Sequence, residues 1–361
     1  MGARTRTAWL AAPVAAFAAS AGAPAAAAPD ATAGLTVRQL VGQRMIYSYA
    51  GTRPPAALRT RIARGEAAGV IVFRWNIASR AALAATVRGL QAIPRPPGLR
   101  APLLVMIDQE GGLVKRLPGP PLRSPATLGR IGSPTLARAE GRATALNLRG
   151  VGVNVDLAPV VDVGRPGSFQ QRFLRSYGSS PARVSAMGSA FAAGLQQRRV
   201  AATLKHFPGL GTVRRNEDDV AQRVTLSPAA LRTIDEAPFA AGIRAGARLV
   251  MTSTAIYPAL ASRPALLSSA VSTGELRGRL GFRGVAITDD LTTSGLVPFG
   301  SPERLGLQAA QAGNDLLLYA GGYSSAARAY ESLVRDAQAG RLRLEATRAS
   351  VRRVLGLRAS L

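Results

Sequence analysis

Several residue types are absent or rare in this 361-residue sequence, and each absence excludes a kind of site or bond. Cysteine is missing, so no disulfide can form, no lipid can be attached through a thioether, and stability must come from the core. There is one histidine, His206, and the only lysines are Lys115 and Lys205. With no cluster of His and Cys to hold a metal, the sequence gives no support for a metal site.

Acidic residues are also scarce, and the formal net charge is +26 at pH 7. Such a charge favours a polyanionic partner, either nucleic acid or an anionic cell-wall polymer. However, the arginines are spread along every predicted helix, and no aromatic-rich basic cluster of the RNA-binding kind is present. We therefore interpret the charge as a solvated basic surface and predict no specific nucleic-acid partner. An anionic cell-wall polymer stays open as a partner.

The first 28 residues differ in composition from the rest of the chain. Arg4 and Arg6 precede an apolar, Ala-rich run and then a stretch of small residues, with no acidic residue before Asp30. This order is typical of a secretory signal peptide. The run is too short and too rich in Ala to span a membrane well, and no later segment is apolar enough to cross one. We predict a signal peptide over 1–28, a mature domain over 29–361, and a secreted or cell-wall-associated protein.

Short apolar runs alternate with helix-like segments through the rest of the sequence. The runs read as buried parallel strands because most are rich in Leu or β-branched residues and apolar on both faces. Eight such units predict an α/β fold, a single (β/α)8 TIM barrel, with no second sandwich domain expected. A doubly wound open sheet is the alternative, but eight repeats favour closure. The predicted strands are Arg44–Ser48, Gly69–Arg74, Leu103–Asp108, Gly152–Leu157, Ala202–His206, Leu249–Ser253, Gly284–Asp289 and Asp315–Tyr319.

The segments between these strands carry helix-start signals. Four predicted helices begin at a Ser-Pro pair, in which the serine caps the helix and proline takes its first position. A fifth follows Ser272, with Glu275 three residues later. The predicted helices include Pro55–Gly65, Ser79–Gln91, Pro134–Leu148, Pro181–Gln197, Pro228–Gly246, Thr273–Leu280, Pro302–Ala312, Tyr323–Ala339 and Leu344–Leu357.

In barrels of this kind, functional side chains lie at the carboxyl ends of the strands. Charged residues are concentrated at these strand ends. Burying a charged side chain is unfavourable unless the charge is paired, so packing alone does not explain this concentration. Carboxylates together with cations that bind hydroxyl groups suit glycoside hydrolysis, in which one carboxylate attacks and an acid protonates the leaving oxygen. No phosphate-binding Gly-rich loop and no Gly-x-Ser-x-Gly motif supports another chemistry. The strand-end residues are Asp108, Glu110, Asp156, Asp162, Arg175, Lys205, His206, Asp289 and Asp290.

These segments resemble glycoside hydrolase family 3, in its β-N-acetylhexosaminidase branch, over essentially the whole mature chain. The resemblance implies a retaining exo-glycosidase that uses no cofactor and releases terminal β-linked N-acetylglucosamine from peptidoglycan- or chitin-derived glycans through a covalent glycosyl-enzyme. A β-glucosidase or β-xylosidase of the same family, and a non-hydrolytic glycan-binding protein, are the alternatives. The matching segments are IDQEGGLVKRL at 107–117, DLAPVVDV at 156–163, RSYG at 175–178, KHFPGLG at 205–211, IYPAL at 256–260 and GFRGVAITDDL at 281–291.

The resemblance also implies a role for individual positions. Asp289, the first Asp of ITDDL, matches the nucleophile. The positions that match residues binding the hydroxyls of the terminal sugar are Asp108, Arg116, Arg175, Lys205 and His206.

The sequence departs from the family where the acid/base is expected. The best-known members carry Asp-Ser-His in the loop after KHFPG, and its His is the acid/base; this chain has Asn216-Glu217-Asp218 there. A carboxylic acid can do the same work if the loop desolvates it and raises its pKa. We expect Asp218 as the acid/base. Glu217 or Asp219 in that role, and a loss of hydrolysis, are the alternatives, and the glycines of the loop suit a mobile lid.

Overall fold

Eight parallel strands form the central sheet in the part of the chain that the structure describes. The computed structural model covers residues 1–3 and 30–361, so the predicted signal peptide lies almost wholly outside the described residues. An additional pair of short antiparallel strands, β4 and β5, follows β3. The strands are β1 Met45–Tyr47, β2 Gly69–Ile71, β3 Leu104–Ile107, β4 Gln109–Gly111, β5 Val114–Lys115, β6 Val155–Asp156, β7 Ala201–Phe207, β8 Leu249–Thr252, β9 Val285–Thr288 and β10 Leu317–Tyr319.

The parallel strands close on themselves. They neighbour one another in the order β10, β1, β2, β3, β6, β7, β8 and β9. A parallel bridge between Ile287 and Leu316 then joins the last strand to the first. Each parallel strand overlaps one predicted from the sequence, so the predicted (β/α)8 barrel is confirmed and the open doubly wound sheet is wrong.

Helices surround the barrel, and the Ser-Pro signals mark their starts. The hydroxyls of Ser133, Ser180, Ser227 and Ser301 each accept a hydrogen bond from a backbone N–H three residues on, with proline in the first helical position. The helices are α1 Val37–Gly42, α2 Ala56–Ala63, α3 Arg80–Gln91, α4 Pro125–Ile131, α5 Pro134–Arg149, α6 Phe169–Arg172, α7 Pro181–Gln196, α8 Pro228–Ala230, α9 Ala237–Arg244, α10 Pro302–Ala312, α11 Tyr323–Gln338 and α12 Leu344–Ala359. Shorter 3-10 segments are Arg74–Asn76, Ala265–Leu267 and Ser294–Phe299, and π-helical segments are Leu231–Asp235 and Ala270–Arg279.

The predicted helix start at Ser272 is wrong. The π-helical segment that contains it begins at Ala270, and Ser272 is buried inside its first turn. The Ser272 hydroxyl donates to the carbonyl oxygen of Ala265 at 3.4 Å, so it caps no helix. Among the described residues, no helix is both long enough and apolar enough to cross a membrane.

The core has an inner and an outer layer because neighbouring residues of a strand face opposite sides. In β3, Leu104 and Met106 pack inside the barrel, whereas Val105 and Ile107 pack against the helices. The inner layer is apolar up to the carboxyl ends of the strands. Its uppermost side chains form the floor of a cavity, and they are Ile71, Leu157, Met251 and Leu318.

Candidate active site

The cavity at the carboxyl ends of the barrel strands has a volume of about 320 Å³. This lies within the usual range for small-molecule sites, about 300–1,000 Å³. An apolar floor and charged walls distinguish it from a packed core. All seven residues that the sequence indicated as catalytic or sugar-binding line it, namely Asp108, Arg116, Arg175, Lys205, His206, Asp218 and Asp289.

One wall of the cavity is a chain of alternating charges. Lys205, at the end of β7, places its Nζ 2.8 Å from an Asp108 oxygen and 2.7 Å from a Glu110 oxygen. Arg175 donates to both oxygens of Glu110, through Nε at 2.9 Å and a terminal nitrogen at 2.8 Å. Arg116 completes the chain, with a terminal nitrogen 3.3 Å from Asp108. Each charge therefore has a partner although the side chains of Lys205 and Glu110 are almost fully buried.

Mutual pairing keeps these groups ionised. Burial alone would raise the pKa of Asp108 and Glu110. Lys205 lies beside both carboxylates and, together with Arg116 at Asp108 and Arg175 at Glu110, holds each pKa below its ordinary value. For Lys205, burial opposes the charge, yet Asp108 and Glu110 raise its pKa above the usual range. The wall thus offers fixed charges whose free hydrogen-bonding positions can bind sugar hydroxyls.

His206 is oriented by a buried carboxylate. The Asp162 side chain is 0% exposed, and its Oδ2 lies 2.8 Å from His206 Nδ1. The other oxygen of Asp162 accepts the backbone N–H groups of His206 and Leu210 at 3.2 and 2.8 Å. Asp162 therefore fixes the orientation of the ring, and Nε2 lies on the cavity side, 3.5 Å from a terminal nitrogen of Arg175.

Two adjacent residues of one strand reach the same cavity. Side chains of consecutive strand residues normally point to opposite faces. Here the peptide bond between Lys205 and His206 is cis, the pairing of β7 with β8 shifts register between Leu204 and Phe207, and both side chains line the cavity. The sequence indicated both residues but not the local backbone geometry at this point.

Asp289 directly follows β9 and projects into the cavity. Its backbone N–H donates to the Thr252 carbonyl oxygen at 3.0 Å, which continues the pairing of β9 with β8. Its Oδ1 accepts the N–H of Asp290 at 2.8 Å. Asp290 has a different role, because its Oδ1 accepts the N–H groups of Thr292 and Ala320 at 2.9 and 2.8 Å. Asp290 therefore holds two loops together while Asp289 keeps a carboxylate oxygen toward the cavity.

The loop after β7 brings two further carboxyls to the site. Glu217 is 2% exposed, and its Oε1 lies 3.9 Å from His206 Nε2. Its Oε2 is buried with no hydrogen-bond partner among the described residues. Asp218 lines the same cavity but is an exposed residue, whereas Asp219 is exposed and lies outside the cavity lining. The geometry therefore keeps Asp218 and Glu217 as acid/base candidates and argues against Asp219.

The path of this loop depends on its glycines. Gly209 has a φ of +131°, a conformation that residues with a Cβ rarely adopt. A Cβ on Gly211 would lie 1.9 Å from the Val163 carbonyl oxygen. Both glycines are thus required by backbone geometry and close packing, so they are explained without a moving lid.

Burial and like charge raise the pKa of all three carboxyls. Burial, together with Asp218, raises the pKa of Glu217 to about 8. Burial, then Asp218 and Glu217, raises the pKa of Asp289 to about 7, against the opposing effect of His206. Although Asp218 is an exposed residue, its cavity-lining carboxyl loses part of its hydration, which raises its pKa, while His206 and Arg175 lower it. Burial and like charge thus oppose full ionisation of this cluster, as in sites where one carboxyl acts as an acid beside another that acts as a base.

The same cluster has the spacing of a metal site. His206, Glu217 and Asp289 each offer one ligand atom, and these atoms lie within 4.8 Å of one another. Within residues 30–361, no other group of three such side chains is this close. Two carboxyls in one cavity also suit a site in which both act on one glycosidic bond.

Comparisons with known proteins agree with this geometry. A model of the glycosyl hydrolase family 3 N-terminal domain matches residues 35–357. An uncharacterized secreted glycosyl hydrolase from Arthroderma benhamiae is 40% identical over 304 residues, which are 82% of this chain and 85% of that protein. A β-hexosaminidase from Stenotrophomonas maltophilia is 38% identical over 261 residues, which are 68% of this chain and 74% of that protein.

Solved structures extend the likeness to three dimensions. The family 3 β-N-acetylglucosaminidase from a Paenibacillus species superposes with a TM-score of 0.85 at 34% identity, covering 90% of this chain. This chain spans only 63% of the length of that protein. The β-N-acetylhexosaminidase from Beutenbergia cavernae superposes with a TM-score of 0.83 at 32% identity, covering 90% of this chain and 98% of that one.

Proposed function

The chain belongs to glycosyl hydrolase family 3, and from this membership we propose that it is a secreted, retaining exo-glycosidase that releases terminal β-linked N-acetylglucosamine. Its substrates would be peptidoglycan- or chitin-derived glycans. Relatives named β-hexosaminidase and β-N-acetylglucosaminidase support this choice of sugar. Secretion is supported by the signal-like residues 1–28 and by the secreted relative.

The observation that carries the proposal is the pair of carboxyls in one cavity. Ligand atoms of Asp289 and Glu217 lie within 4.8 Å of each other, and Asp218 lines the same space. Carboxyls grouped in this way suit glycoside hydrolysis, in which one carboxylate attacks the anomeric carbon and an acid protonates the leaving oxygen.

In the proposed reaction, Asp289 is the nucleophile. Its carboxylate forms a bond to the anomeric carbon as the bond to the leaving oxygen breaks, and the acid/base gives its proton to that oxygen. In the second step, a water molecule attacks the anomeric carbon and releases Asp289, while the acid/base takes a proton from the water. Asp108, Lys205, Arg175, Arg116 and His206 would hold the hydroxyls of the sugar, because their charges are fixed around the cavity.

We assign the acid/base to Asp218 because of where it lies. The cavity is closed by an apolar floor, so a terminal sugar enters it and the leaving group extends toward the mouth. Asp218 is an exposed residue at that mouth, whereas Glu217 is buried beside His206. Glu217 would then act as a buried neighbour of the catalytic pair, and the Asp218 carboxyl raises its pKa.

The proposed activity is tested with a panel of 4-nitrophenyl glycosides across pH. We expect release of 4-nitrophenol from the β-N-acetylglucosaminide at a higher kcat/KM than from the β-glucoside or β-xyloside. A reversed order would make the chain a β-glucosidase or β-xylosidase. Calorimetry that detects binding of N-acetylglucosamine oligomers without turnover would instead show a glycan-binding protein and contradict the proposal.

The roles of the carboxyls are tested with three variants. Asp289→Asn should abolish covalent labelling by a 2-deoxy-2-fluoro sugar. Asp218→Asn should lower kcat/KM about 100-fold or more for a disaccharide, yet only slightly for a dinitrophenyl glycoside that needs no protonation. Glu217→Gln is the matched control, and its effect should not depend on the leaving group. If the leaving-group dependence follows Glu217 instead, the assignment of Asp218 is wrong.

A further inference from the structure

A second cavity, with a volume of about 390 Å³, lies at the opposite end of the barrel from the catalytic cavity. Its wall includes Gly313, between the end of α10 and the start of β10, and Arg277, which donates to the carbonyl oxygen of Gly284 just before β9. These positions are at the amino ends of the strands, whereas the catalytic cavity lies at the carboxyl ends. We call it the arginine cavity after the charged residues of its wall, which within the described chain are Arg277, Arg341, Arg343 and Arg353.

One buried carboxylate serves two of these arginines. The Oδ2 of Asp315 accepts from a terminal nitrogen of Arg277 at 2.5 Å, and its Oδ1 accepts from Nε and a terminal nitrogen of Arg353 at 3.0 and 2.8 Å. Arg277 Nε is itself buried and has no hydrogen-bond partner among the described residues. Burial lowers the pKa of Arg277 although Asp315 opposes this effect, and the neighbouring Arg353 lowers it further. The single carboxylate therefore does not fully neutralise this pair of cations.

The other two arginines of the cavity are exposed. Arg341 pairs with Asp336 at 2.7 Å, and the Arg341 side chain is 58% exposed. Arg343 directly precedes α12, and it makes neither an ion pair nor a side-chain hydrogen bond with the residues that the structure describes. The four guanidinium groups of the arginine cavity therefore share two carboxylates, those of Asp315 and Asp336. Two positive charges are left without a counter-charge in the described part of the chain.

A doubly charged anion with several oxygens would supply the missing charge. Guanidinium groups bind phosphate oxygens through paired N–H donors. A phosphate monoester carries a charge of about −1.5 to −2 at pH 7, whereas a phosphodiester or a carboxylate carries a single charge. Much of the remaining wall is aliphatic, so it suits an organic body attached to the phosphate. No aromatic residue is among the described lining residues, so the cavity offers no ring on which a nucleic-acid base could stack. The aliphatic wall residues are Ala310, Leu342, Ala346 and Ala349.

From these observations we propose that the arginine cavity is a binding site for a phosphate monoester with a small aliphatic or polyol body. The phosphate accepts from Arg343 and Arg353, the buried Arg277 adds to the attraction through its charge, and the organic body packs against the aliphatic wall. This site is separate from the catalytic cavity and does not rest on the proposed glycosidase activity. It also assigns a ligand to part of the large positive charge of the chain, which the catalytic site leaves unexplained.

The test is isothermal titration calorimetry at pH 7.5 and constant ionic strength, with glycerol 3-phosphate as the probe. We expect single-site binding that is tighter than that of the diester glycerophosphoglycerol, and no binding of glycerol. Arg343→Gln should weaken binding about tenfold, because it removes a charged donor without leaving a carboxylate unpaired. Ala346→Leu should weaken binding by filling the cavity. Arg142→Gln is the matched control, because Arg142 is exposed on α5, lies outside both cavities, and its loss changes the net charge equally.

Each other outcome would overturn the proposal in a different way. If glycerol 3-phosphate does not bind, or if Arg343→Gln and Arg142→Gln weaken its binding equally, the arginines form only a solvated basic surface. If N-acetylglucosamine displaces glycerol 3-phosphate, the phosphate occupies the catalytic cavity, which also contains cations. If the diester binds as tightly as the monoester, the ligand is a phosphodiester chain and the monoester is the wrong class. A change in glycosidase activity alone does not enter the test, because binding is measured directly.

Discussion

Neutralising Glu110 should destabilise the whole barrel, because this carboxylate is the buried partner of two cations. Its side chain is 0% exposed and accepts from Arg175 Nε at 2.9 Å, from a terminal nitrogen of Arg175 at 2.8 Å and from Lys205 Nζ at 2.7 Å. Removing one partner of a buried ion pair costs about 3–5 kcal/mol. An amide at this position can still accept one hydrogen bond, but it leaves a buried cation without a counter-charge. We therefore expect Glu110→Gln to lower the free energy of unfolding by about 3–5 kcal/mol.

The matched control is Glu303→Gln on the surface. Glu303 pairs with Arg328 at 3.2 Å, but the side chains are 26% and 64% exposed. Exposed pairs contribute about 0–1 kcal/mol, so the same substitution should have little effect there. Both variants are measured by equilibrium urea unfolding at pH 7, together with kcat/KM on the 4-nitrophenyl substrate. A loss below about 1 kcal/mol in Glu110→Gln, equal to that of the control, would refute the reasoning.

The pH dependence of the Glu110 contribution follows from its depressed pKa. Burial opposes ionisation, but Arg175 and Lys205 hold the folded-state pKa of Glu110 below the ordinary value of 4.5. A depressed carboxyl pKa stabilises the fold above the unfolded-state pKa, and this stabilisation is lost as the pH falls through the folded-state pKa. The difference in stability between the unaltered chain and Glu110→Gln should therefore be constant near neutral pH and shrink below about pH 4.5.

Four further variants probe the neighbouring groups. Asp218→Asn removes a like charge that raises the pKa of Asp289. The acidic limb of the pH profile of kcat/KM on a dinitrophenyl glycoside should therefore move to lower pH. An unchanged acidic limb would contradict the coupling between the two carboxyls. Asp162→Asn takes the acceptor from His206 Nδ1, and the resulting misorientation should lower kcat/KM about 100-fold, while an unchanged value would show that His206 needs no such orientation. Asp289→Asn should raise the free energy of unfolding above about pH 7, because it replaces a carboxylate whose pKa burial raises to about 7, and chemical denaturation at pH 8 checks this. Asp290→Asn should lower the free energy of unfolding by about 1–3 kcal/mol, because it weakens the hydrogen bonds between the two loops. Fluorosugar labelling of Asp289 should persist in this variant.

The barrel could be predicted from the sequence because its signals are local. Buried parallel strands are apolar on both faces, and Ser-Pro pairs mark helix starts whatever the tertiary context. The Ser272 start failed for a tertiary reason, since the hydroxyl of Ser272 is bonded to Ala265 of the preceding 3-10 segment and cannot cap. A capping pattern read from sequence assumes that the side chain is free to turn back onto its own helix.

The sequence predicted which residues belong to the site, but only part of the contacts between them. Glu110 and Asp162 stood at predicted strand ends, yet neither was assigned to the site. Their importance comes from partners far along the chain: Glu110 pairs with Arg175 and Lys205, and Asp162 orients His206. No spacing pattern in a single sequence encodes such contacts, because they arise only when barrel closure brings the ends of β3, β6 and β7 together.

The sequence by itself determined the eight-unit topology and the position of Asp289, because strand order and strand ends follow from local hydrophobicity and turn signals. Only the tertiary structure decided what surrounds Asp289. The loop after β7 carries three consecutive acidic residues, and the sequence could not say which of them enters the cavity. The path of the loop over Asp162 and Val163 buries Glu217, leaves Asp218 at the mouth and turns Asp219 away. Burial and like charge then set the pKa of each carboxyl, and both depend on distances that exist only in the folded barrel.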